Sequence, residues 1–294
     1  MSSIIANNLL GFVEHAGLTP MVSYRIDRDG HPYLPIGDGG VVLGVHLGDS
    51  VFATDADHAA PGVTLVHPDP GSRFGLTSFA CVGNRATVRS GAAMGATGSV
   101  VGKRGEAGRV IVSFDDETMA ALLPGDRIAV HAMGQGLERD DLPEEIVLLN
   151  IDPALLAALP LTVEAGVATV DVVGVLPGKV AGNGIGRPAH QWDVDLAVTP
   201  DSPELAGIDM RLGDLFAVEH LDVRHNMGFR RDWITVGIIV HGGSPMPGHG
   251  PGFLPIACGP RRVLQPRATP GESAAERPAL TSERLAAVAP WPTA

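Results

Sequence analysis

Histidines and carboxylates are concentrated between Gly213 and Gly252. Four of the eleven histidines of the chain lie in this segment, together with four carboxylates. Imidazole nitrogens and carboxylate oxygens at strand ends and in tight turns are the donors of zinc and manganese sites, and they also act as general acids and bases. The segment therefore predicts a metal site or an acid–base site. Its members are His220, His225, His241, His249, Asp214, Glu219, Asp222 and Asp232.

The first group within this segment surrounds His220 and Asp222. Alternation along a strand places these two residues on one face, where an imidazole and a carboxylate can bind an ion or act as a base with its orienting partner. The nearby arginines could hold a carboxylate or phosphate of a substrate, or could equally form surface ion pairs. We predict catalytic roles for Asp222, Glu219, Arg224 and His225, and substrate binding by Arg230.

The second group follows an apolar strand, Ile234–His241, that ends in a histidine. The loop behind it, GGSPMPGHGPG over residues 242–252, carries His249 between two glycines, which allow the backbone to approach a ligand closely. A rigid structural turn is the alternative interpretation of this loop. We predict that Ser244 and Gly250 contact the substrate.

Asp57 and His58 form a third group, at the end of the DADH run and shortly before a Pro-Gly turn. Oxygen and nitrogen donors this close in sequence suit a divalent ion, although a solvated loop whose aspartates cap turns explains them as well. The predicted cofactor is therefore a divalent metal, zinc or manganese. The candidate ligands are Asp57, His58, His220, His241 and His249.

Motifs for other cofactors and nucleophiles are weak or absent in the sequence. The GxG at residues 134–136 lacks the third glycine and the helix of a dinucleotide fingerprint, and no Walker A motif occurs. We therefore predict no nucleotide cofactor, and we assign Gln135 of this loop to substrate binding. There is no GxSxG elbow, and Cys81 and Cys258 have no neighbour in sequence that would lower a thiol pKa.

The net charge of −12 argues against a nucleic-acid partner, because phosphate binding requires a basic surface. No window of the sequence approaches eighteen uninterrupted apolar residues, and the N-terminus lacks the basic region of a signal peptide. These features predict a cytoplasmic protein with a small-molecule substrate and no membrane partner. A homo-oligomer is compatible with an enzyme of this size, although no residue pattern indicates one.

Short strands between turns dominate the chain. Its 294 residues include 38 glycines and 24 prolines, which favour frequent turns and short elements. We predict a mainly β fold with short helices (α+β), built as two β-rich, barrel-like halves. The first half is residues 1–150, the second is residues 151–265, and a mobile tail follows at residues 266–294.

Three helices are predicted from their boundary residues. Acidic residues at the start and a proline at the end delimit Asp115–Leu123 and Asp152–Leu159, and a weaker helix is predicted at Ser282–Val288. The apolar run Gly40–Leu47 is among the predicted strands.

Five ordered motifs resemble those of one family of bacterial and archaeal proteins, a domain of unknown function with a C-terminal GHGPG signature. The resemblance implies that Asp57, His58, Asp222, His241 and His249 occupy matched positions, whereas the residues after Asp222 depart from the histidine and arginine order of the family. A looser likeness to β-rich metal amidases of the acetamidase/formamidase type implies amide chemistry. The motifs are DADHAAPGVT (55–64), GDRIAVHAMGQGLE (125–138), NIDPALL (150–156), GNGIG (182–186) and the segment 213–252.

These observations predict a metal-dependent hydrolase that cleaves a C–N bond of a small amide or cyclic amide. A bound ion would polarise the carbonyl and lower the pKa of a water, with Asp222 or Glu219 as general base. A lyase or isomerase that uses the same histidines and aspartates to move a proton is the enzymatic alternative. A non-enzymatic β-barrel protein that binds a small ligand is the other alternative.

Overall fold

The computed structural model describes residues 5–17, 24–53, 55–105, 108–269 and 277–288. The strands are β1 (Asn7–Val13), β2 (Arg25–Ile26), β3 (Pro32–Tyr33), β4 (Val63–Val66), β5 (Arg85–Val88), β6 (Thr97–Arg104), β7 (Arg109–Ser113), β8 (Arg127–Ala132), β9 (Val147–Leu148), β10 (Leu161–Glu164), β11 (Val167–Val172), β12 (Gly174–Leu176), β13 (Val194–Asp195), β14 (Leu215–Asp222), β15 (Gly228–His241), β16 (Gly252–Pro260) and β17 (Leu264–Ala268). The helices are α1 (Pro70–Phe79), α2 (Asp116–Ala121), α3 (Pro153–Ala158) and α4 (Ser282–Ala287). A mainly β fold of two halves with few short helices is thereby confirmed.

The first half of the chain contains a closed six-stranded barrel, with the strand order β1-β4-β7-β6-β5-β8. Side chains that alternate along each strand fill its interior, as in β8, where Ile128 and Val130 are fully buried and Ala129 between them is half-buried. Val63, Val110 and Val112 pack against them from β4 and β7. Closure pairs the strand edges and makes the barrel a rigid support for the loops that leave it.

The three predicted helices are present as α2, α3 and α4. Asp115 and Asp152 accept hydrogen bonds from backbone N–H groups of α2 and α3, and Thr281 does so for α4. The longest helix, α1, was not predicted, although Asp69 caps it and Pro70 begins it. No helix in the described part of the chain is long and apolar enough to cross a membrane.

The second half is built on the long antiparallel hairpin of β14 and β15. Its sheet has the order β12-β14-β15-β16-β13, and β9, from the first half, pairs with β16. A separate sheet has the order β10-β11-β17. The last nine residues of β15 are all buried, because both faces of this strand are covered, and the strand delivers His241 at its end. The pairing of β9 with β16 joins the two halves.

One predicted strand differs from the structure. Gly40–Leu47 forms no strand, and only Val41 makes an isolated bridge to Val63. Glycines at positive φ near both ends and inside this segment, among them Gly40 at 76° and Gly44 at 75°, turn the backbone away from an extended path.

Part of the segment predicted as a mobile tail, residues 266–294, forms secondary structure and contacts the rest of the chain. Residues 264–268 form β17, which pairs in parallel with β11. Leu280 N–H donates to the Gly213 carbonyl at 2.7 Å, and Arg277 pairs with the buried Asp214 at 2.6 Å. Residues 270–276 and 289–294 lie outside the described part of the chain.

A buried charge network lies where the barrel meets the loop before β4. Asp38 is fully buried and pairs with Arg104 and Arg25, and it lies 3.3 Å from Arg109. Arg109 also pairs with Glu14 at 2.6 Å. Burial disfavours the Asp38 carboxylate, but the arginine charges outweigh that effect and lower its pKa to about 2. Asp38 therefore compensates guanidinium groups that have little access to water.

Asp38→Asn should destabilise the protein by about 3–5 kcal/mol at pH 7, because it removes a buried carboxylate that pairs with the fully buried Arg104 and is one of two carboxylates at each of Arg25 and Arg109. The pKa of Asp38 is lowered by folding, so its stabilisation is complete above about pH 4, the usual range of an unfolded Asp, and declines as the pH falls toward 2. Urea denaturation of both proteins at pH 7, 5 and 3.5 tests this. A difference that stays constant or grows on acidification would contradict it.

Candidate metal centre

Three histidines from distant parts of the chain meet at one carboxylate. His58 comes from the loop before β4, His241 ends β15, and His249 lies in the loop between β15 and β16. The His58 ring centroid lies 5.0 Å from that of His241 and 5.4 Å from that of His249. Asp195, the last residue of β13, lies among them.

The distances between donor atoms are those of a compact site. Asp195 Oδ2 lies 3.8 Å from His58 Nε2 and 3.9 Å from His249 Nε2, and its Oδ1 lies 3.4 Å from His241 Nε2. Asp193 Oδ2 lies 2.8 Å from His241 Nε2. We call these five residues the His/Asp cluster: His58, Asp193, Asp195, His241 and His249.

Backbone pairing brings His58 beside His241. The His58 N–H donates to the Gly243 carbonyl at 2.9 Å, and the Gly242 N–H donates to the Ala59 carbonyl at 2.8 Å. His58 also has a positive φ of 54°, which few residues other than glycine adopt. Strain of this kind persists where the surroundings determine the conformation, and it is common at functional sites.

The glycines of two sequence motifs allow the loops to approach each other. A Cβ at Gly250 would lie 1.8 Å from the Leu196 carbonyl oxygen, and one at Gly252 would lie 2.2 Å from His241 Nε2. In GNGIG, a Cβ at Gly182 would lie 2.2 Å from the Gly248 oxygen. Asn183 of the same motif donates from Nδ2 to Asp195 Oδ2 at 3.2 Å. Both motifs therefore position the His/Asp cluster.

Each histidine of the cluster directs Nε2 toward Asp195 and places Nδ1 beside another oxygen atom. Nδ1 of His241 lies 2.9 Å from the Gly242 oxygen, and Nδ1 of His249 lies 3.0 Å from the Pro247 oxygen. Nδ1 of His58 lies 2.5 Å from Asp57 Oδ1, as a close charge contact without hydrogen-bond alignment. Oxygen acceptors at Nδ1 hold a proton on that nitrogen, so Nε2 faces Asp195 and carries either a second proton or a metal ion. This is the arrangement of metal-binding histidines.

His58 is nearly inaccessible to water, with 1% of its side chain exposed. Among the described residues, its Nε2 has no hydrogen-bond partner. Leaving such a group unsatisfied costs about 1–3 kcal/mol, which a bound cation would recover. The orphaned nitrogen is therefore an observation, independent of the donor spacing, that indicates a ligand.

The electrostatics of the cluster favour a positive charge. Burial opposes the imidazolium form of His58, but Asp195 and Asp57 outweigh burial and raise the pKa of His58 to about 9. Burial likewise raises the pKa of Asp195, and the three histidines more than reverse this and lower it. A cation at the centre, whether a proton or a metal ion, stabilises the buried carboxylates.

Asp57 lies behind His58 and is held by the β2–β3 hairpin. Arg25 Nη1 donates to Asp57 Oδ2 at 2.5 Å, and the Tyr33 hydroxyl donates to the same oxygen at 2.9 Å. Asp57 thus contacts Nδ1 of a histidine rather than the centre of the cluster. A carboxylate in this position orients the ring and raises the basicity of its outer nitrogen.

A cavity of 420 Å³ lies against the segments that carry His58 and His241. Its walls include Asp57, Gly243 and Ser244, with Tyr33 and Arg28 from the hairpin. Its size suits a small molecule. His249 has 18% of its side chain exposed, so the cluster is accessible from solvent on that side. Neither this cavity nor a larger one of 600 Å³, between the barrel and α4, is lined by a member of the cluster, although Asp57 in the wall of the first contacts His58.

The group around His220 and Asp222 lies at the opposite end of the hairpin. Glu219, next to His220, pairs with Ile234 on β15. Ile234 lies seven residues before His241, so about 23 Å of strand separates Ile234 from His241. Asp222 pairs with Arg224 at 2.8 Å and lies 3.6 Å from Arg230, and both guanidinium groups stack on Trp233. The structure therefore does not bring this group to the cluster.

The other predicted site residues are not members of the cluster. Gln135 bonds with its side-chain amide to Asn150 and to the Ser78 carbonyl, and Glu219 pairs with Arg261. His225 is exposed. Ser244 lines the 420 Å³ cavity, and Gly250 contacts the β13 segment through its backbone.

Asp193 and Asp195 are not among the ligands predicted from the sequence. The signal was present as two aspartates at i and i+2, which project from one face of an extended segment. Asp193 is fixed by its neighbours, because its Oδ1 accepts a hydrogen bond from the Gly105 N–H at 3.2 Å.

The fold and the cluster define a β-barrel protein with a candidate metal centre. The N-terminal model of the domain of unknown function DUF4438 matches residues 24–157, and the C-terminal model matches residues 158–276. The chain therefore belongs to the DUF4438 family. It is similar to the crystal structure of TM1086, with a TM-score of 0.86 and 30% sequence identity over 90% of this chain and 93% of that chain. No curated protein matches it.

The cluster spans the boundary between the two family domains. His58 belongs to the N-terminal match, whereas Asp193, Asp195, His241 and His249 belong to the C-terminal match. A complete site therefore requires both domains.

His249→Ala should reduce the metal bound by the purified protein, whereas His220→Ala should not. Of these two histidines, only His249 presents Nε2 to Asp195, whereas His220 Nδ1 accepts the Asp232 N–H at 3.1 Å. Elemental analysis of both variants after dialysis against zinc or manganese is the measurement. Metal loss in His220→Ala at an unchanged circular-dichroism spectrum would contradict the assignment.

Proposed function

We propose that this protein is a metal-dependent hydrolase and that the His/Asp cluster holds its divalent ion. The observation that supports this most strongly is the convergence of three Nε2 atoms, each with its Nδ1 near an oxygen, on one buried carboxylate. Nitrogen and oxygen donors without thiolate suit zinc or manganese. The substrate class is a small amide or cyclic amide with a hydrolysable C–N bond.

The donor spacing supports an ion. Ligand atoms around a tetrahedral zinc ion lie about 3.4 Å apart, given metal–nitrogen bonds of about 2.1 Å. The separations of 3.4 Å, 3.8 Å and 3.9 Å between Asp195 and the histidines are within about half an ångström of that spacing. Small movements of side chains would close the set around an ion.

The chemistry follows from the site and its surroundings. A divalent ion there would polarise a substrate carbonyl and lower the pKa of a water toward about 7. Asp57 orients His58, Asn183 orients Asp195, and the 420 Å³ cavity offers the Tyr33 hydroxyl and Ser244 for hydrogen bonds to the substrate. Burial raises the pKa of the thiols of Cys81 and Cys258 to about 11, which does not favour a thiolate nucleophile.

A structural metal site is the second candidate. Four members of the cluster expose 7% or less of their side chains, as in closed sites saturated by protein ligands. In that case the ion would join the two family domains, and its removal would lower stability without any associated reaction. The partial exposure of His249 favours the catalytic interpretation.

Chelation should abolish hydrolysis of a responsive amide or lactam in a substrate panel, and zinc or manganese should restore it. Metal content and rate are measured on the full chain before and after dialysis against a chelator. A folded wild type that takes up neither ion would overturn the proposal. Metal uptake with a large rise in melting temperature, and no reaction across the panel, would support the structural alternative.

Asp57→Asn should weaken metal binding by about 10–100-fold, because it removes the carboxylate that orients His58. Isothermal titration with zinc gives the affinity. Asp171→Asn is the matched control, since Asp171 lies on β11 in the separate β10-β11-β17 sheet and pairs with the exposed Arg267. Equal affinity in all three proteins would show that Asp57 does not support a ligand.

A further inference from the structure

Asp195 directs its two oxygens at different sets of donors. Oδ2 lies near His58 and His249, whereas Oδ1 lies near His241, whose Nε2 also contacts Asp193. The donor atoms form two compact groups that share Asp195, and within each group all atoms lie within 4.8 Å of one another. A single carboxylate between two donor groups is a common way to bridge two ions.

The first group, His58, His249 and Asp195 Oδ2, is a set of two histidines and one carboxylate. Such sets bind divalent ions and leave coordination positions for water or substrate. The buried Nε2 of His58, which has no hydrogen-bond partner among the described residues, points to an ion at this position. His249 is the most exposed member and leaves this side accessible.

The second group, Asp193, Asp195 Oδ1 and His241, also requires a cation. His241 Nδ1 lies 2.9 Å from the Gly242 carbonyl oxygen and must donate its proton there. A neutral ring then directs its Nε2 lone pair at two carboxylates, at 2.8 Å and 3.4 Å. That contact is repulsive unless a proton or a metal ion lies between the groups.

We propose that the cluster is a two-ion centre in which Asp195 bridges the metals. This proposal rests on the proposed metal-dependent function and specifies its form. One ion is held by His58, His249 and Asp195 Oδ2, and the other by His241, Asp193 and Asp195 Oδ1. Two-metal hydrolytic sites place their ions about 3.5–4 Å apart, a separation that one bridging carboxylate spans.

The net charge of such a centre favours one chemical class of substrate group. Two divalent ions exceed the charge of the two carboxylates, and the histidines bind as neutral rings. The centre therefore attracts a negatively charged or strongly polar oxygen. An amide carbonyl that becomes an oxyanion during hydrolysis has this chemistry.

The test is manganese binding to the full chain. The wild type should bind two Mn²⁺ per chain by elemental analysis, with the electron paramagnetic resonance spectrum of a coupled pair. Asp193→Asn should bind one Mn²⁺ with an uncoupled spectrum. Asparagine keeps an oxygen at Oδ1 that can accept the hydrogen bond from the Gly105 N–H, so this contact is retained. Asp141→Asn, at an exposed pair with Arg139, is the matched control and should keep both ions.

The outcomes separate the two proposals. One ion with an uncoupled spectrum in the wild type, unchanged in Asp193→Asn, would overturn the two-ion centre and leave the one-ion hydrolase intact. No bound ion in a folded wild type would overturn both. If Asp193→Asn fails to fold, the stoichiometry and spin coupling of the wild type decide the question.

Discussion

The burial of Asp195 among three imidazoles is the constraint on which the site depends. A buried carboxylate is stable only when charge and hydrogen bonds compensate it, and here His58, His241, His249 and Asn183 supply both. The surrounding loops must approach within van der Waals contact to do so. The glycines of GNGIG and GHGPG meet this requirement, because a side chain at several of these positions would collide with neighbouring backbone.

A chain of ion pairs connects the barrel to Asp57, which contacts His58 of the cluster. Arg104 and Arg109, at the ends of β6 and β7, hold Asp38, which pairs with Arg25, and Arg25 pairs with Asp57 behind His58. The rigid barrel therefore determines the orientation of a ring in a loop whose own backbone is strained. Such a network is costly to disturb, because the loss of one member leaves another buried charge without compensation.

The cluster takes residues from both sides of the boundary between the two family domains. The two matched domains meet near residues 157 and 158, and the cluster takes one histidine from the first and four residues from the second. The pairing of β9 with β16 and the contacts of residues 58–59 with 242–243 hold the two contributions in register. A site at the junction of two domains suits a ligand-binding function, because clefts form where separate cores meet.

The sequence by itself determined the β-rich class, three helices with their acidic or hydroxyl caps, the family, and three histidines that the structure brings together. These features depend on local patterns, since caps and strand alternation involve neighbours in the chain. Only the tertiary structure decided that Asp195 joins the cluster and that His220 does not. Membership of the cluster depends on the register of β13, β15 and β16 and on the approach of the loops to each other. These contacts join residues that are distant in the chain, so no local sequence pattern predicts them.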